Sequence, residues 1–450
     1  MKLLEIGLLV CTAIILYGYV FGYGTRWRNI VLSIIGVVVL LFHIFIEGPR
    51  IQSLLLYGIF GVCLVFVVIS FVRKTREGER KKWKCVVAGG LGTIALAVTM
   101  AVPLYLLPIV TLPEPTGPYE IGVTNFHWID HDREEVEGVN GNRELMVRIW
   151  YPAELTEGGL KAPYAFDPSY TELVSKELPY YYKALLYSVV QTETHSFANV
   201  PVADHGAPYP VLILSPGYGN SNFMYTSQAE TLASHGYIVC SIEHTYYTGL
   251  PTLFPDGRVV YEQIDFEDGR DLDEEITVWV DDVQFVLDQL QKWNESDPQN
   301  LLNGRLDMDR VGMLGHSFGG ATTAQVMHQD PRIRAGVNMD GFLFGSLIEE
   351  GLDYPFMYMS GVEEVSMEGP DGKKVEEAEL PEEFQEFIAD DKRRKEGALK
   401  NNGLYVVIEN AEHESFSDWM LYSPLLLDRD LPMLDQINKT LLDFFDEHLK

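Results

Sequence analysis

Four long apolar runs open the chain, and nothing else in it restricts the fold as strongly: Leu3–Phe21, Ile30–Ile46, Leu54–Val72 and Cys85–Leu112. A helix needs about 20 apolar residues, within a range of about 17–25, to cross the hydrocarbon of a bilayer; the first three runs fit that range and the fourth is longer. The fourth contains Pro103 and Pro108. Its helix is expected to end near Pro103, because proline removes a ladder hydrogen bond and crowds the preceding turn. A cleaved signal peptide does not account for the first run, which lacks a clear small-residue cleavage site and is followed by three more runs. Glu5, His43 and Glu47 lie near the predicted helix ends and are expected at the interface rather than on a proton path.

The loops orient these helices. Seven basic residues stand between Arg73 and Lys84, and a short loop so charged stays in the cytoplasm. The first loop carries Arg26 and Arg28, and in the second Glu47 offsets Arg50. The pattern predicts the N-terminus outside and a fourth helix that delivers residues 113–450 to the outer face of the membrane. "TLPEPTGPYEIG" (Thr111–Gly122) follows as a stiff linker rich in proline and glycine. The expected organisation is a four-helix anchor over 1–112, a linker over 113–122 and a soluble domain over 123–450.

Charge divides the chain at the same place. Of 34 Lys and Arg and 65 Asp and Glu, 11 and 4 fall in the first 112 residues, which leaves the remainder strongly acidic. Such a surface repels nucleic acid and anionic headgroups, so nucleic-acid binding is excluded. Cys240 is the one cysteine of four beyond residue 112. The soluble part therefore has no internal disulfide, and "GYIVCSIEH" reads as a buried strand with a packed thiol.

That soluble part alternates apolar strand-like runs with helical spacing. Strands are predicted at Leu145–Pro152, Tyr209–Gly217, Tyr237–His244, Arg310–Gly315, Arg334–Asp340, Tyr354–Gly361 and Leu404–Asn410. Helices are predicted at Thr226–Gly236, Ile276–Trp293, Gly319–Gln329 and Leu434–Leu449. Continuous apolar strands alternating with helices imply an α/β fold with a mostly parallel sheet covered on both faces. Ligands then bind at the carboxyl ends of the strands. Residues 164–200 read as inserted helices or a lid, and 362–402 as an exposed polar excursion. Within the first, "PYYYKALLY" (Pro179–Tyr187) fits either a packed helix or a lipid contact.

Gly315-His316-Ser317-Phe318-Gly319 matches G-x-S-x-G, between a predicted strand and a small-residue helix. In that pattern a serine sits on a tight strand-to-helix turn, its hydroxyl exposed, with small flanking residues relieving the crowding. A phosphate-binding loop is excluded, since no lysine follows the glycines. Serine needs a base, and three histidines follow it: His328 in the helix leaving the turn, His448 in the terminal helix, and His413 in a strand-end loop. His413 is the expected base. The acid follows a later strand, as Asp340 after the next one or as Glu363 or Glu364 after the one beyond; topology leaves these open. The oxyanion donors are expected to be the amides of Phe318, after the nucleophile, and Tyr218, in "LSPGYGNSN". His244 and His316 are expected in the pocket or behind the catalytic residues. "HWIDHD" (His127–Asp132) reads as strand and solvated turn, not a metal site.

Together these residues resemble the platelet-activating factor acetylhydrolase family (plasma and type II enzymes) of α/β-hydrolases. The resemblance runs through "PTGPYEIG", "VRIWYPA", "YPVLILSPGYG", "LASHGYIVCSIEH", "GHSFGG", "NMDGF" and "AEHESFSDW". It implies an α/β-hydrolase fold and a calcium-independent serine esterase acting on short or oxidised acyl groups of phospholipids. It also implies Ser317 as nucleophile, Asp340 as acid, His413 as base, and Tyr218 and Phe318 as oxyanion amides. Pro216 stands where the family commonly has histidine. No metal or organic cofactor is implied. A lipase or polyester hydrolase of the same fold, and a ligand-binding external domain of a membrane sensor, are the rival readings.

Overall fold

A computed structural model describes residues 3–21, 26–48, 53–72, 82–106, 110–155, 158–165, 189, 192–264, 269–361, 380–422 and 430–450. Within these, the chain forms two compact units, one built on the residues up to Ile109 and the other on most of the residues from Val110 onward.

Uninterrupted apolar sequence makes the first unit helical: α1 (Leu3–Phe21), α2 (Arg26–Phe42), α3 (Leu54–Val72) and α4 (Lys82–Leu106). Four helices of this unit are long and apolar enough to cross a membrane. Leu8, Ile15, Leu56, Phe60 and Val67 fill the interior, while Val31, Val65 and Val86 lie exposed. An apolar exterior suits a lipid solvent, in which helices satisfy their own backbone groups. Helix α4 continues past Pro103 to Leu106, beyond the expected end. Proline removes one N–H from the ladder, and apolar helices of this kind tolerate that loss. A π-helical turn, His43–Glu47, extends α2. Glu5 and His43 stand near helix ends yet are buried in the bundle. Ser53 donates to Glu5 at 2.6 Å, and His43 lies 2.8 Å from Glu47 and 2.6 Å from the Tyr57 hydroxyl.

The second unit is organised by a ten-stranded sheet. Its strands are β1 (Glu120–Glu134), β2 (Asn142–Ala153), β3 (Lys161–Pro163), β4 (Glu193–Ala198), β5 (Tyr209–Ser215) and β6 (Ile238–Glu243). A small hairpin comes next, β7 (Thr252–Leu253) with β8 (Val259–Val260). The sheet resumes with β9 (Leu306–His316), β10 (Ile333–Met339), β11 (Phe356–Ser360) and β12 (Leu404–Val407). The spatial order is β12-β11-β10-β9-β5-β6-β2-β1-β4-β3. From β12 to β6 every neighbouring pair is parallel; β2 runs antiparallel to both β6 and β1. All residues of β5 and β6 are buried, which is why both read as predominantly apolar runs rather than alternating ones.

The covering helices are α5 (Thr226–Ser234), α6 (Leu272–Glu295), α7 (Phe318–Gln329), α8 (Glu382–Ala398) and α9 (Leu431–Leu449). Helix α6 lies against α7, and α9 against α5. Asp271 caps α6 and Asp430 caps α9, each accepting from a first-turn amide. Part of the expected 164–200 insertion is strand β4, not helix, and part of the 362–402 excursion is helix α8. "PYYYKALLY", Glu363, Glu364 and most of the expected lid lie outside the described residues. The proline-rich linker is bonded to the second unit: the Gly117 and Tyr119 amides donate to the Ser234 hydroxyl and carbonyl at 3.0 Å each.

Candidate active site

Ser317 alone joins β9 to α7. Its backbone is held at φ 54°, ψ −122°, a region that non-glycine residues occupy only under constraint. The constraint is close approach of the chain to itself. A Cβ on Gly315 would lie 2.0 Å from the Gly319 carbonyl oxygen, and one on Gly319 would lie 2.1 Å from that of Ser215. Glycine is therefore required on both flanks, and the turn pushes the serine side chain out at the carboxyl end of β9.

Two further strand ends supply the partners. Asp340 follows β10, also at positive φ (56°). His413 opens a short 3-10 turn, His413–Phe416, in the loop after β12, and that turn is fixed by a reciprocal capping box between Glu412 and Ser415. His413 Nε2 lies 3.0 Å from Ser317 Oγ, and its Nδ1 lies 2.8 Å from Asp340 Oδ2. The other Asp340 oxygen accepts from the Ser360 hydroxyl at 2.7 Å and the Gly361 amide at 3.2 Å. Burial acts to lower the His413 pKa, but the Asp340 hydrogen bond and charge outweigh it, and the net direction is up. Burial acts to raise that of Asp340, but His413 and Ser360 outweigh it, and the net direction is down. Serine, a basic imidazole and an ionised carboxylate thus stand in line, with the imidazole more exposed than Asp340 (45% against 17%).

The two expected oxyanion residues are Phe318, which directly follows Ser317, and Tyr218. Phe318 opens α7, where backbone N–H groups have no acceptor within the helix. Tyr218 lies in the loop after β5. Its ring stacks on Trp279 at 5.9 Å and meets the Phe318 ring edge-on at 5.5 Å, and its hydroxyl donates to the Ile264 carbonyl at 3.2 Å. A small apolar cluster around Trp279, Phe318 and Tyr247 therefore anchors both side chains.

His316 and His244 are both buried. His316 lies 2.9 Å from the His413 carbonyl oxygen and 2.8 Å from the Tyr225 hydroxyl. His244 lies 2.9 Å from the Ser215 hydroxyl and 2.9 Å from Asp282. His328 falls within α7 and His448 at the end of α9. "HWIDHD" lies wholly on β1, with His127 2.7 Å from Glu144 and Asp130 paired to Arg133. Sequence reasoning does not reach Tyr225, Asn220, Trp419 and Ser360. Each joins the site through a long-range hydrogen bond that no local motif records.

Comparison with known proteins agrees with this architecture. The model of the family described as platelet-activating factor acetylhydrolase, isoform II, matches residues 106–441. A platelet-activating factor acetylhydrolase from Cavia porcellus is 25% identical over 374 residues, 75% of this chain and 78% of its own. A probable 1-alkyl-2-acetylglycerophosphocholine esterase from Arthroderma benhamiae is 27% identical over 275 residues, 58% of this chain and 65% of its own. Among solved structures, a ferulic acid esterase from Streptomyces cinnamoneus superposes with a TM-score of 0.57 at 26% identity, covering 76% of this chain and 93% of that one. Fold and relatives define a serine carboxylic-ester hydrolase of the α/β-hydrolase class. The chain belongs to the platelet-activating factor acetylhydrolase isoform II family.

Proposed function

We propose that this chain is a membrane-anchored serine esterase that cleaves short or oxidised acyl esters of phospholipid-type substrates at Ser317. The observation that carries the reading is the row Ser317–His413–Asp340, with separations of 3.0 and 2.8 Å, at the carboxyl ends of parallel strands. His413 Nε2 takes the serine proton as Oγ attacks the ester carbonyl. The amides of Phe318 and Tyr218 receive the developing oxyanion. Asp340 holds Nδ1–H and steadies the imidazolium, which then returns its proton to the leaving alcohol. Water, activated by the same imidazole, releases the acid from Ser317.

The acyl preference rests on the names borne by the relatives, several of them platelet-activating factor acetylhydrolases. Four apolar helices and the basic loop after the third support an anchor with the hydrolase unit on the outer face. The test uses the full-length chain in detergent, with p-nitrophenyl esters of increasing chain length and phospholipids with a short sn-2 acyl group. Short chains are expected to be preferred. Long-chain or polyester preference would replace the substrate class and keep the mechanism, whereas lipid binding without turnover would sink the enzymatic reading altogether. A protease protection assay on sealed vesicles reads the orientation.

A further inference from the structure

We propose that Tyr225 and His316 form one positioning relay that joins the oxyanion loop to the loop carrying His413. The inference rests on the catalytic reading of Ser317 and His413 above. Its strength is that every hydrogen in the relay has a single permissible place. Trp419 Nε1, which can only donate, lies 2.8 Å from Asn220 Oδ1, so the Asn220 amide cannot be flipped. Its nitrogen therefore donates to the Tyr225 hydroxyl oxygen at 3.0 Å. The Gly217 amide donates to that same oxygen at 2.8 Å. With two donors already pointed at it, the Tyr225 hydroxyl directs its own hydrogen to His316 Nδ1, 2.8 Å away. At the far side of the ring, His316 Nε2 faces the His413 carbonyl oxygen at 2.9 Å, which can only accept. His316 is thereby fixed as the neutral Nε2–H tautomer.

The physical consequence is a link between two pieces of the site that are far apart in the chain. Gly217 lies in the loop after β5, and the next residue is Tyr218, the proposed oxyanion donor. His413 is the base, and its own main chain is the last acceptor in the relay. The rings of His316 and His413 lie 4.7 Å apart. A neutral His316 thus spares the imidazolium formed at His413 a buried like charge, and full burial favours that neutral form. Tyr225, His316 and Asn220 are all buried, and the relay needs no contact with substrate.

The experiment uses the full-length chain in detergent, on whichever p-nitrophenyl ester the wild type turns over. Tyr225→Phe keeps the ring and removes the hydroxyl; kcat is expected to fall between about tenfold and a hundredfold with KM nearly unchanged. His316→Gln, whose amide can still donate to the His413 carbonyl, is expected to retain more activity than His316→Leu. The double variant Tyr225→Phe with His316→Leu is expected to be no slower than the worse single one, since residues acting as a unit are not additive. A folded Tyr225→Phe with wild-type kcat, or single effects that multiply in the double variant, would overturn the relay. Should Tyr225→Phe fail to fold, the His316 pair decides: equal activity of Gln and Leu variants overturns it too. A wild type inert on every ester sinks the catalytic reading itself; an active wild type with an unaffected Tyr225→Phe sinks the relay alone.

Discussion

The hydrolase unit contains two serine–histidine–aspartate rows with nearly the same spacing. In Ser317–His413–Asp340 the separations are 3.0 and 2.8 Å; in Ser215–His244–Asp282 they are 2.9 and 2.9 Å. Everything around them differs. Ser317 sits on a turn at positive φ that throws its hydroxyl outward, whereas Ser215 ends β5 and is fully buried. Asp340 is held by a hydroxyl and an amide besides His413. Asp282 takes two hydrogen bonds from the buried Arg143, at 3.0 and 2.7 Å, and one from Arg133 at 2.8 Å. His413 is partly exposed and its pKa is raised; His244 is buried against the Trp279 ring, centroids 3.8 Å apart, and burial pushes its pKa down. The lesson is that three residue types at hydrogen-bond distance do not make a nucleophile. Access and the other charges on the carboxylate decide, and Asp282 is already committed to arginine.

The sharpest way to break this contrast is at the serines. Ser317→Ala is expected to cost roughly a million-fold in kcat, the scale seen when a triad serine is removed. Ser215→Ala is expected to keep activity and lose about 1–3 kcal/mol of stability, because it leaves a buried imidazole nitrogen without a partner. A fluorophosphonate probe should label wild type and Ser215→Ala alike, and label Ser317→Ala not at all. Labelling that survives Ser317→Ala would remove the basis for the assignment.

The aspartates sharpen the comparison by reversing which property is lost. Asp340→Asn is expected to lower kcat about 10⁴-fold by permitting the wrong imidazole tautomer, with a small change in melting. Asp282→Asn strips the charge opposite buried Arg143 and is expected to destabilise the fold by about 3–5 kcal/mol. Paired kinetics and denaturant melts on both variants read this out. Equal stability losses would mean that Arg143 is satisfied by Glu135 and the Thr245 carbonyl, to both of which it also donates.

How much of this is legible in the sequence depends on how local each feature is. The "GHSFGG" turn is legible because its steric demand is met within five residues. Strands β5 and β6 are legible because burial on both faces leaves a predominantly apolar run. Strand β4, "ETHSFA", reads as part of a helical insertion because it is polar and short and pairs toward the sheet edge. His244 and His413 both follow strand ends; chain order after Ser317 favours His413, and burial, a property of the assembled sheet, separates the two in the structure. The Tyr225–His316 contact spans 91 residues and the His244–Asp282 contact 38. No period or motif encodes a pairing at such separations.

The smallest expected effect is a shift in pH, and it bears on why the two imidazoles behave differently. In the proposed mechanism His413 must be neutral to accept the serine proton, so kcat/KM should rise with pH through its pKa. The ordinary histidine value is 6.5, and the net direction for His413 is upward, burial opposing and Asp340 prevailing. The midpoint of the acid limb is therefore expected above 6.5. Removing the carboxylate in Asp340→Asn takes away the main group opposing burial and leaves the Glu414 charge, so the limb of the residual activity should move toward lower pH. Ser215→Ala leaves His413 and Asp340 untouched, and its profile should superimpose on that of the wild type. Burial holds the His244 pKa below the ordinary value, against the pull of Asp282. A profile from about pH 5 to 8 on the three proteins checks this. A limb that moves in Ser215→Ala, or stays in place in Asp340→Asn, would show that the titrating group is not the imidazole beside Asp340.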